Sequence, residues 1–139
     1  MPHTLLCEIV TPERIVYTSE VELVVVPSEL GEMGILPLHE PIVAVLEAGE
    51  VRVRHAEHDW DWFAISGGYV QVHEDKVIVL AQDAASVSTI DLERVKESIE
   101  LTKARMNELC EVDREHPEIS TCEADLVWAE TQVRIATRR

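Results

Sequence analysis

The sequence predicts an α+β protein in which an N-terminal antiparallel β-sandwich is followed by a C-terminal antiparallel two-helix hairpin. Apolar and polar residues alternate along short segments of the first part, whereas apolar residues recur every three or four positions in the last part. The period changes after Val87, and the first part is also the more acidic of the two. We therefore expect two units, residues 1–87 and residues 88–139.

The strands expected in the first unit are short, rich in β-branched residues and bounded by turn residues. Val51-Arg-Val-Arg54 alternates apolar and charged side chains, which is the period of a strand with one buried face. Turn signals follow along the unit, among them Pro27-Ser28 and the Gly31/Gly34 pair. The intervals between the expected strands are too short for crossover helices, so a parallel sheet is excluded. The other expected strands are residues 4–10, 20–26 and 76–80.

Each expected helix carries an apolar seam at alternating steps of three and four residues, as two packed helices require. Thr102 is the one polar position of the first seam, which is Leu92, Val95, Ile99, Thr102, Met106 and Leu109. On the second helix the seam is Cys122, Leu126, Ala129, Val133 and Ala136. Because the second seam contains small residues, its packing is shallow, and we expect a hairpin of low local stability that can leave its place.

The turn of the hairpin is expected at residues 113–117, which are polar and end in a proline. Ser120-Thr-Cys-Glu123 matches a capping box, in which the side chains of the first and last residue satisfy each other's free backbone amides. The sequence therefore predicts that the second helix is capped at Ser120.

The charge of the chain disfavours several classes of partner. There are 12 Lys and Arg against 27 Asp and Glu, a formal net charge of -15. Nucleic acid and anionic lipid are therefore unfavourable partners, and a protein that exposes Arg or Lys is more natural. No apolar run approaches the roughly 20 residues that span a bilayer, and the N-terminus lacks the pattern of a signal peptide. We expect a soluble or peripheral protein with reduced thiols at Cys7, Cys110 and Cys122.

No sequence pattern indicates catalysis or a metal site. The chain contains neither a Gly-x-x-x-x-Gly-Lys-Ser/Thr phosphate loop nor a Gly-x-Ser-x-Gly nucleophile elbow. The residues that suggest a metal site but lack ligand spacing are His55, His58, Asp59 and His73. Trp60 and Trp62 share one strand face, and the sequence leaves open whether that face packs in the sandwich, under the hairpin or against a partner.

Three segments, in order, carry a resemblance to a known family. The first is Thr11-Pro12 followed by Val16-Tyr17, and the second is Gly31-Glu-Met-Gly-Ile-Leu-Pro-Leu-His-Glu-Pro41. The third is Ile65-Ser-Gly-Gly-Tyr-Val70 with the apolar strand that follows it. With the helical hairpin behind them, these segments closely resemble the epsilon subunit of bacterial F-type ATP synthases over nearly the whole chain.

This resemblance implies a non-catalytic part of a rotary machine. Members of the family join the foot of the central stalk, bind the gamma subunit and the ring of c subunits, and rotate with them while the catalytic subunits make ATP. In bacteria the hairpin can extend along gamma, reach the alpha and beta subunits, and block ATP hydrolysis. The resemblance thus implies a peripheral protein on the cytoplasmic face of the plasma membrane, held there only through the complex.

The resemblance also implies where the c ring is contacted. In the family the loop with the Gly-Glu-x-Gly motif lies against the ring, and here that loop spans residues 28–41. Glu32 and His39 are the expected contacts, with Met33 and Leu36 as apolar support, and the Glu32 carboxylate would pair with a basic residue of the ring. The alternative is that the glycines only shape a turn and that Glu32 is solvated.

A short motif at the start of the first helix resembles the ATP-binding motif of some family members. In Ile90-Asp-Leu-Glu-Arg94 the retained residues are Asp91 and Arg94, and Arg134 on the second helix matches a further arginine. The resemblance therefore implies ATP as a weak regulatory ligand and no other cofactor. Asp91 could instead cap the helix, and Arg94 could pair with an acidic neighbour.

The chain departs from the nucleotide-binding members at three positions, which hold Val95, Leu101 and Glu130. A carboxylate at Glu130 would repel a triphosphate, which weakens the expectation of ATP binding. Two alternative functions remain from the sequence. One is a stand-alone ATP sensor that uses the hairpin as a clamp, and the other is a small metal-dependent enzyme built on a β-sandwich.

Overall fold

The computed structural model describes residues 4–56, 59–113 and 115–138. In this part of the chain, strands precede a 3-10 helix (Val87–Thr89), α1 (Leu92–Val112) and α2 (Pro117–Arg138). The strands are β1 (Leu5–Val10), β2 (Ile15–Val21), β3 (Leu23–Ser28), β4 (Gly31–Ile35), β5 (Ile42–Leu46), β6 (Gly49–Ala56), β7 (Asp59–Ile65), β8 (Gly68–His73), β9 (Lys76–Ala81) and β10 (Ala84–Ser86). Neither helix, over its described residues, is long and apolar enough to cross a membrane.

The strands form one continuous sheet that folds over on itself into a sandwich. Neighbouring strands follow the order β10-β7-β6-β3-β5-β8-β9-β1-β2, and β4 pairs with β3 off this path. Inward side chains from both halves meet in one core of mainly valine, isoleucine and leucine. Fully buried members include Ile9, Val24, Val53, Ile65 and Val79. The predicted α+β architecture, a β-sandwich followed by a helical hairpin, is confirmed.

One pair of strands departs from the antiparallel pairing expected of the sandwich. β1 and β9 pair in parallel, with Leu6 opposite Lys76 and Val10 opposite Leu80. The other described strand pairs are antiparallel, and this pair was not expected because the sequence argument considered only helical crossovers between neighbouring strands. A parallel pair needs a long connection, and the strands from β2 to β8 supply that connection here.

Two local predictions in the first unit are also corrected. Residues 20–26 are not one strand, because β2 ends at Val21, which pairs with β1, and β3 begins at Leu23, which pairs with β6. The chain thus changes partner strands at Glu22. The turn expected at Pro27-Ser28 lies two residues later, and Gly34 sits within β4 rather than in a turn.

The first helical seam is confirmed residue by residue. Leu109 is buried, and the other five seam positions of α1 are half-buried while their neighbours are mostly exposed. The α2 seam holds as well, with Ala129 buried and the remaining seam residues half-buried. The described residues of α1 and α2 pack along most of their length as an antiparallel pair.

The capping box predicted at Ser120 is wrong, because α2 begins at Pro117. Proline is favoured at the first helical position, where its missing N–H has no helical partner to lose. The His116 ring accepts the backbone N–H of Glu118 at 3.1 Å and satisfies one free amide there. Ser120 is therefore an exposed residue within the first turns of the helix.

A second buried face of α2 was not predicted. Thr131 and Ile135 are buried, and at about 100° per residue they lie on the side of the helix away from the seam. This face packs on β7, β6 and the 3-10 helix. Ala64, on the outer face of β7, is fully buried without belonging to the sandwich core. The outer face that carries Trp60 and Trp62 is therefore the face on which the hairpin rests.

Candidate functional sites

The segment predicted to contact the ring consists of a β-hairpin and a loop. β4 pairs with β3 so that Ser28 lies opposite Gly31 and Pro27 opposite Glu32. The Ser28 hydroxyl donates to the carbonyl of Gly31 at 2.6 Å, which closes the turn. Gly31 has a φ of 116°, a conformation that glycine adopts readily. The motif thus places Glu32 on a defined strand instead of in an irregular loop.

Glu32 is exposed, yet it is paired within the chain. The guanidinium of Arg52 donates to the Glu32 carboxylate, with 2.9 Å between Nη2 and Oε2. The same guanidinium lies 3.8 Å from Glu50, measured from Nε to Oε1. Arg52 stands on the outer face of β6 and reaches across β3 to β4. Sequence reasoning missed this pair because it depends on which strand lies between the two residues.

The other predicted ring contacts differ in exposure. Met33 is half-buried against the sandwich core, on the opposite face of β4 from Glu32. Leu36 is exposed, and the half-buried His39 ring donates to the carbonyl of Glu40 at 2.7 Å. The sequence missed Leu38, which is exposed at a φ of 65°.

Leu38 is held in this sparsely populated backbone region by the turn between β8 and β9. Its backbone N–H donates to the Asp75 carboxylate at 2.6 Å. A non-glycine residue at positive φ is strained by about 1–3 kcal/mol and persists only where its surroundings hold it. The loop after β4 is therefore fixed in a shape that presents Leu36 and Leu38 to the outside.

A second exposed apolar surface lies on the outer face of β5, β8 and β9. Val45, Tyr69 and Leu80 are direct neighbours across the three strands, and Val43 continues the surface along β5. All four are exposed, and Tyr69 is 55% exposed. We call these four residues the apolar face. The sequence contained a signal for it, because β5 and β9 read as unbroken apolar runs instead of alternating ones.

A cleft of about 650 Å³ borders the apolar face where β8 begins. Its walls include Val10, Pro12, Tyr69 and Leu80. Gly68 allows strands β8 and β9 to approach here, since a Cβ on Gly68 would lie 1.9 Å from the Leu80 carbonyl oxygen. Only glycine fits that position, which gives the Ile65-to-Val70 motif its physical reason.

The hairpin forms another cleft, of about 460 Å³, near the start of α1. Asp91 and Arg94 line it together with Asp125, Trp128 and Gln132, among other residues. The Asp91 carboxylate accepts the backbone N–H of Arg94 at 3.2 Å, so Asp91 caps α1. Arg134, the third residue of the expected ATP site, is exposed and lies outside the lining of this cleft.

Among the residues considered as metal ligands, His55 makes other side-chain contacts. His55 Nε2 lies 2.5 Å from Asp61 Oδ2 and 2.8 Å from the Tyr17 hydroxyl, where β2 meets β6 and β7. Burial is the main reason that the pKa of Tyr17 is raised to about 12. His58 lies outside the described residues. Within the described ranges, no three His, Cys, Asp or Glu side chains cluster as a metal site requires.

The three cysteines are free thiols in different surroundings. Cys7 is buried in the sandwich core, Cys110 is exposed on α1, and Cys122 is half-buried on α2. Burial raises the pKa of the Cys7 thiol to about 12. Cys7 is therefore protonated and shielded in the folded protein, while Cys110 is open to reagents.

Comparison with known proteins assigns the chain to a class of proteins. Residues 4–87 match the family described as ATP synthase, Delta/Epsilon chain, beta-sandwich domain. An ATP synthase epsilon chain from Bacillus mycoides is 46% identical over 100 residues, which cover 72% of this chain and 74% of that protein. An ATP synthase epsilon chain 2 from Syntrophotalea carbinolica is 36% identical over 138 residues, or 99% of this chain and 97% of its own length.

The fold is also similar to that of a solved structure. A chain of the mitochondrial ATP synthase of Euglena gracilis, from a cryo-EM structure of OSCP, F1 and c-ring, superposes with a TM-score of 0.73 at 21% identity. The superposition covers 100% of this chain and 84% of that one. The β-sandwich of the delta/epsilon class thus comes with a helical hairpin in this protein. The chain belongs to the family of ATP synthase epsilon chains.

Proposed function

We propose that this chain is the epsilon subunit of the central stalk, or rotor, of a bacterial F-type ATP synthase. In that role it has no catalytic site and helps to couple ion-driven rotation of the c ring to ATP synthesis. The observation that carries the proposal is the likeness to an epsilon chain along 99% of the sequence, with sandwich and hairpin both included. The ion itself, H⁺ or Na⁺, is selected on the ring.

The apolar face is the proposed binding surface for the gamma subunit. Isolated apolar residues are normal on a surface, but Val43, Val45, Tyr69 and Leu80 form one contiguous patch on three paired strands. Such a patch suits a permanent contact within a complex, with a tyrosine as its central anchor. The acidic character of the chain favours a gamma surface with basic residues at its rim.

The ring contact is proposed at residues 28–41, through Glu32, His39 and Leu36. Met33 supports β4 from the core side. The exposed, fixed shape of this segment supports the proposal, and the Glu32 carboxylate is open to a basic ring residue although it also pairs with Arg52. The test is zero-length crosslinking in membranes that carry the assembled enzyme. Glu32→Gln should lose an epsilon–c product that the wild type gives, while Glu97→Gln on α1 should keep it.

The hairpin is proposed to be the regulatory part, residues 88–139, with the sandwich of residues 1–87 as the partner-binding part. Most of the described α1 and α2 seam residues are only half-buried, which favours a hairpin able to leave the sandwich and reach the alpha and beta subunits. Removal of residues 88–139 should raise ATP hydrolysis of the complex and leave subunit assembly intact. Unchanged hydrolysis would contradict the inhibitory role.

ATP is proposed at most as a weak ligand of the hairpin cleft. Asp91 and Arg94 line that cleft, but Asp125 adds a second carboxylate and Arg134 lies outside. Two carboxylates beside one arginine oppose a triphosphate. Titration calorimetry tests this directly, because absence of heat at millimolar MgATP would leave Asp91 as a helix cap alone.

Localisation follows from the proposed partners. The chain would sit at the cytoplasmic face of the bacterial plasma membrane and reach it only through the gamma subunit and the c ring. Its net charge of -15 disfavours direct contact with anionic lipid and with nucleic acid. Fractionation should therefore release it from membranes when F1 and the stalk are stripped off.

A further inference from the structure

The outer face of the sandwich carries a row of charges that links the ring-contact segment with the surface beneath the hairpin. We propose that Arg52 is shared between Glu32 and Glu50, so that engaging Glu32 with a partner strengthens the docking of α2 on the sandwich. The partner is a basic side chain, and in this respect the inference rests on the proposed function. The shared arginine and the docked helix are contacts within this chain.

The geometry of the row is asymmetric. Arg52 makes its shorter contact, 2.9 Å, with Glu32, whose side chain is 69% exposed and open to a partner. Its longer contact, 3.8 Å, is with Glu50, whose side chain is only 10% exposed. One guanidinium therefore divides its charge between an accessible carboxylate and a covered one.

Glu50 lies on the outer face of the sheet, where α2 packs on β6 and β7. In the β6–β7 register Glu50 lies opposite Ala64, on the outer face of the sheet. Ala64 is fully buried although it does not belong to the sandwich core, and α2 packs on both strands. The helix buries Thr131 and Ile135 on the face that points away from α1. Docking of α2 on these two strands would then help to shield Glu50 from water, while Glu32 stays exposed.

The sign of the coupling follows from the cost of covering a carboxylate. A carboxylate that loses water is destabilised unless positive charge lies close to it. When a basic partner takes Glu32, Arg52 is free to turn fully towards Glu50, and docking of α2 becomes more favourable. Removing the Glu32 carboxylate likewise favours docking of α2. Removing the Arg52 guanidinium instead leaves less positive charge beside Glu50, which opposes docking.

This opposite response separates the proposal from a simple structural ion pair. If the Glu32–Arg52 pair only fixed β4 to the sheet, removing either member would disturb the same contact in the same direction. Here Glu32→Gln is expected to favour the docked hairpin and Arg52→Gln the undocked one. A partly exposed pair changes an equilibrium by about two- to fivefold, so shifts of that size are expected.

The experiment measures how often α2 leaves the sandwich in the full chain. Thr131→Cys places a thiol on the buried face of α2, and Cys110→Ser with Cys122→Ser removes the other accessible thiols. Cys7 stays silent because it is buried and its pKa is raised to about 12. The rate at which a thiol reagent labels the introduced cysteine under native conditions reports undocking.

The expected rates are about two- to fivefold higher for Arg52→Gln and about two- to fivefold lower for Glu32→Gln than in the parent. Lys76→Gln, which breaks the Glu8–Lys76 pair (3.7 Å) between β1 and β9, is the matched control and should leave the rate unchanged. Rates that move in the same direction for both substitutions, or that do not move, overturn the proposal. Because Glu32 is exposed, its variant folds even if the Arg52 variant does not.

A second part of the experiment adds the purified rotor of gamma and c ring to the parent protein. Labelling of the cysteine at position 131 should become slower, and the rotor should cause no such slowing in the Glu32→Gln variant. A rotor that binds without slowing the parent would overturn the coupling. A rotor that does not bind at all, while the two substitutions still act in opposite directions, would instead refute the proposed function and leave the sharing of Arg52 intact.

Discussion

Tyr69 provides the sharpest test of the proposed gamma-binding surface. It stands at the middle of the apolar face, directly between Val45 on β5 and Leu80 on β9. Its side chain is exposed and contributes little to the sandwich core. Tyr69→Ala should therefore leave the fold intact and weaken only the contact with gamma.

The size of the effect follows from the area that a partner can cover. A tyrosine side chain offers about 200 Å², so an exposure of 55% leaves about 110 Å² available. At about 25 cal/mol per Å² this area is worth about 2.7 kcal/mol when it is covered. Alanine retains a small part of this contact area, so the expected loss of binding free energy is about 2 kcal/mol. That loss corresponds to a Kd about 30-fold higher.

The assay is a binding titration of the full chain against immobilised gamma subunit. Tyr69→Phe is the matched control, because it keeps the ring and removes only the hydroxyl group. Its Kd should stay within about threefold of the parent. Circular dichroism checks that each variant is folded. If Tyr69→Ala binds gamma as tightly as Tyr69→Phe does, the apolar face is not the contact and the reasoning fails.

Three further predictions concern stability. Gly68→Ala should destabilise the sandwich by about 3 kcal/mol in urea unfolding, because its Cβ meets the Leu80 carbonyl oxygen at 1.9 Å and its φ of 144° disfavours a side chain. Asp91→Ala should cost about 1 kcal/mol of cap energy, seen as faster amide exchange in the first turn of α1 but not in the strands. Burial raises the pKa of the Cys7 thiol from 9.0 to about 12, so the folded state holds this proton more tightly than the unfolded state does. The protonated thiol therefore contributes its full stabilisation below about pH 9, and this stabilisation is lost as the pH rises towards 12. Urea midpoints should therefore fall as the pH rises through that window, and less steeply in Cys7→Ala.

Local patterns determined much of what could be predicted. The α1 seam was correct because a helix of about 3.6 residues per turn places every third or fourth side chain on one face, whatever lies beyond it. The outward position of Arg52 and Arg54 and the inward position of Val51 and Val53 followed from the strand period in the same way.

The remaining features depend on which elements meet. The second face of α2 was missed because Thr131 is polar and buried, and no apolar residue lies three or four positions from Ile135. The parallel β1–β9 pair joins distant segments, which local turn signals do not report. The start of α2 was misplaced because two local rules, a capping box and a proline at the first turn, competed and the proline prevailed.

The candidate functional sites also combine features that local sequence predicts with features that depend on sheet topology. The Gly-Glu-Met-Gly segment and the start of α1 could be located from their residues. The apolar face could not be assembled without the register of β5, β8 and β9, and the Glu32–Arg52 pair could not be assembled without the order of β4, β3 and β6. Surfaces shared by several strands are set by sheet topology, and a single sequence reports topology only indirectly.

The most direct test of the stalk role is recovery of partners from the native membrane. Tagged protein would be incubated with detergent-solubilised membranes of the source cell, and the bound proteins would be read by mass spectrometry. We expect gamma, alpha, beta and c subunits to be recovered, and fewer of them with Tyr69→Ala. Recovery of none of these subunits from membranes that synthesise ATP would contradict the account.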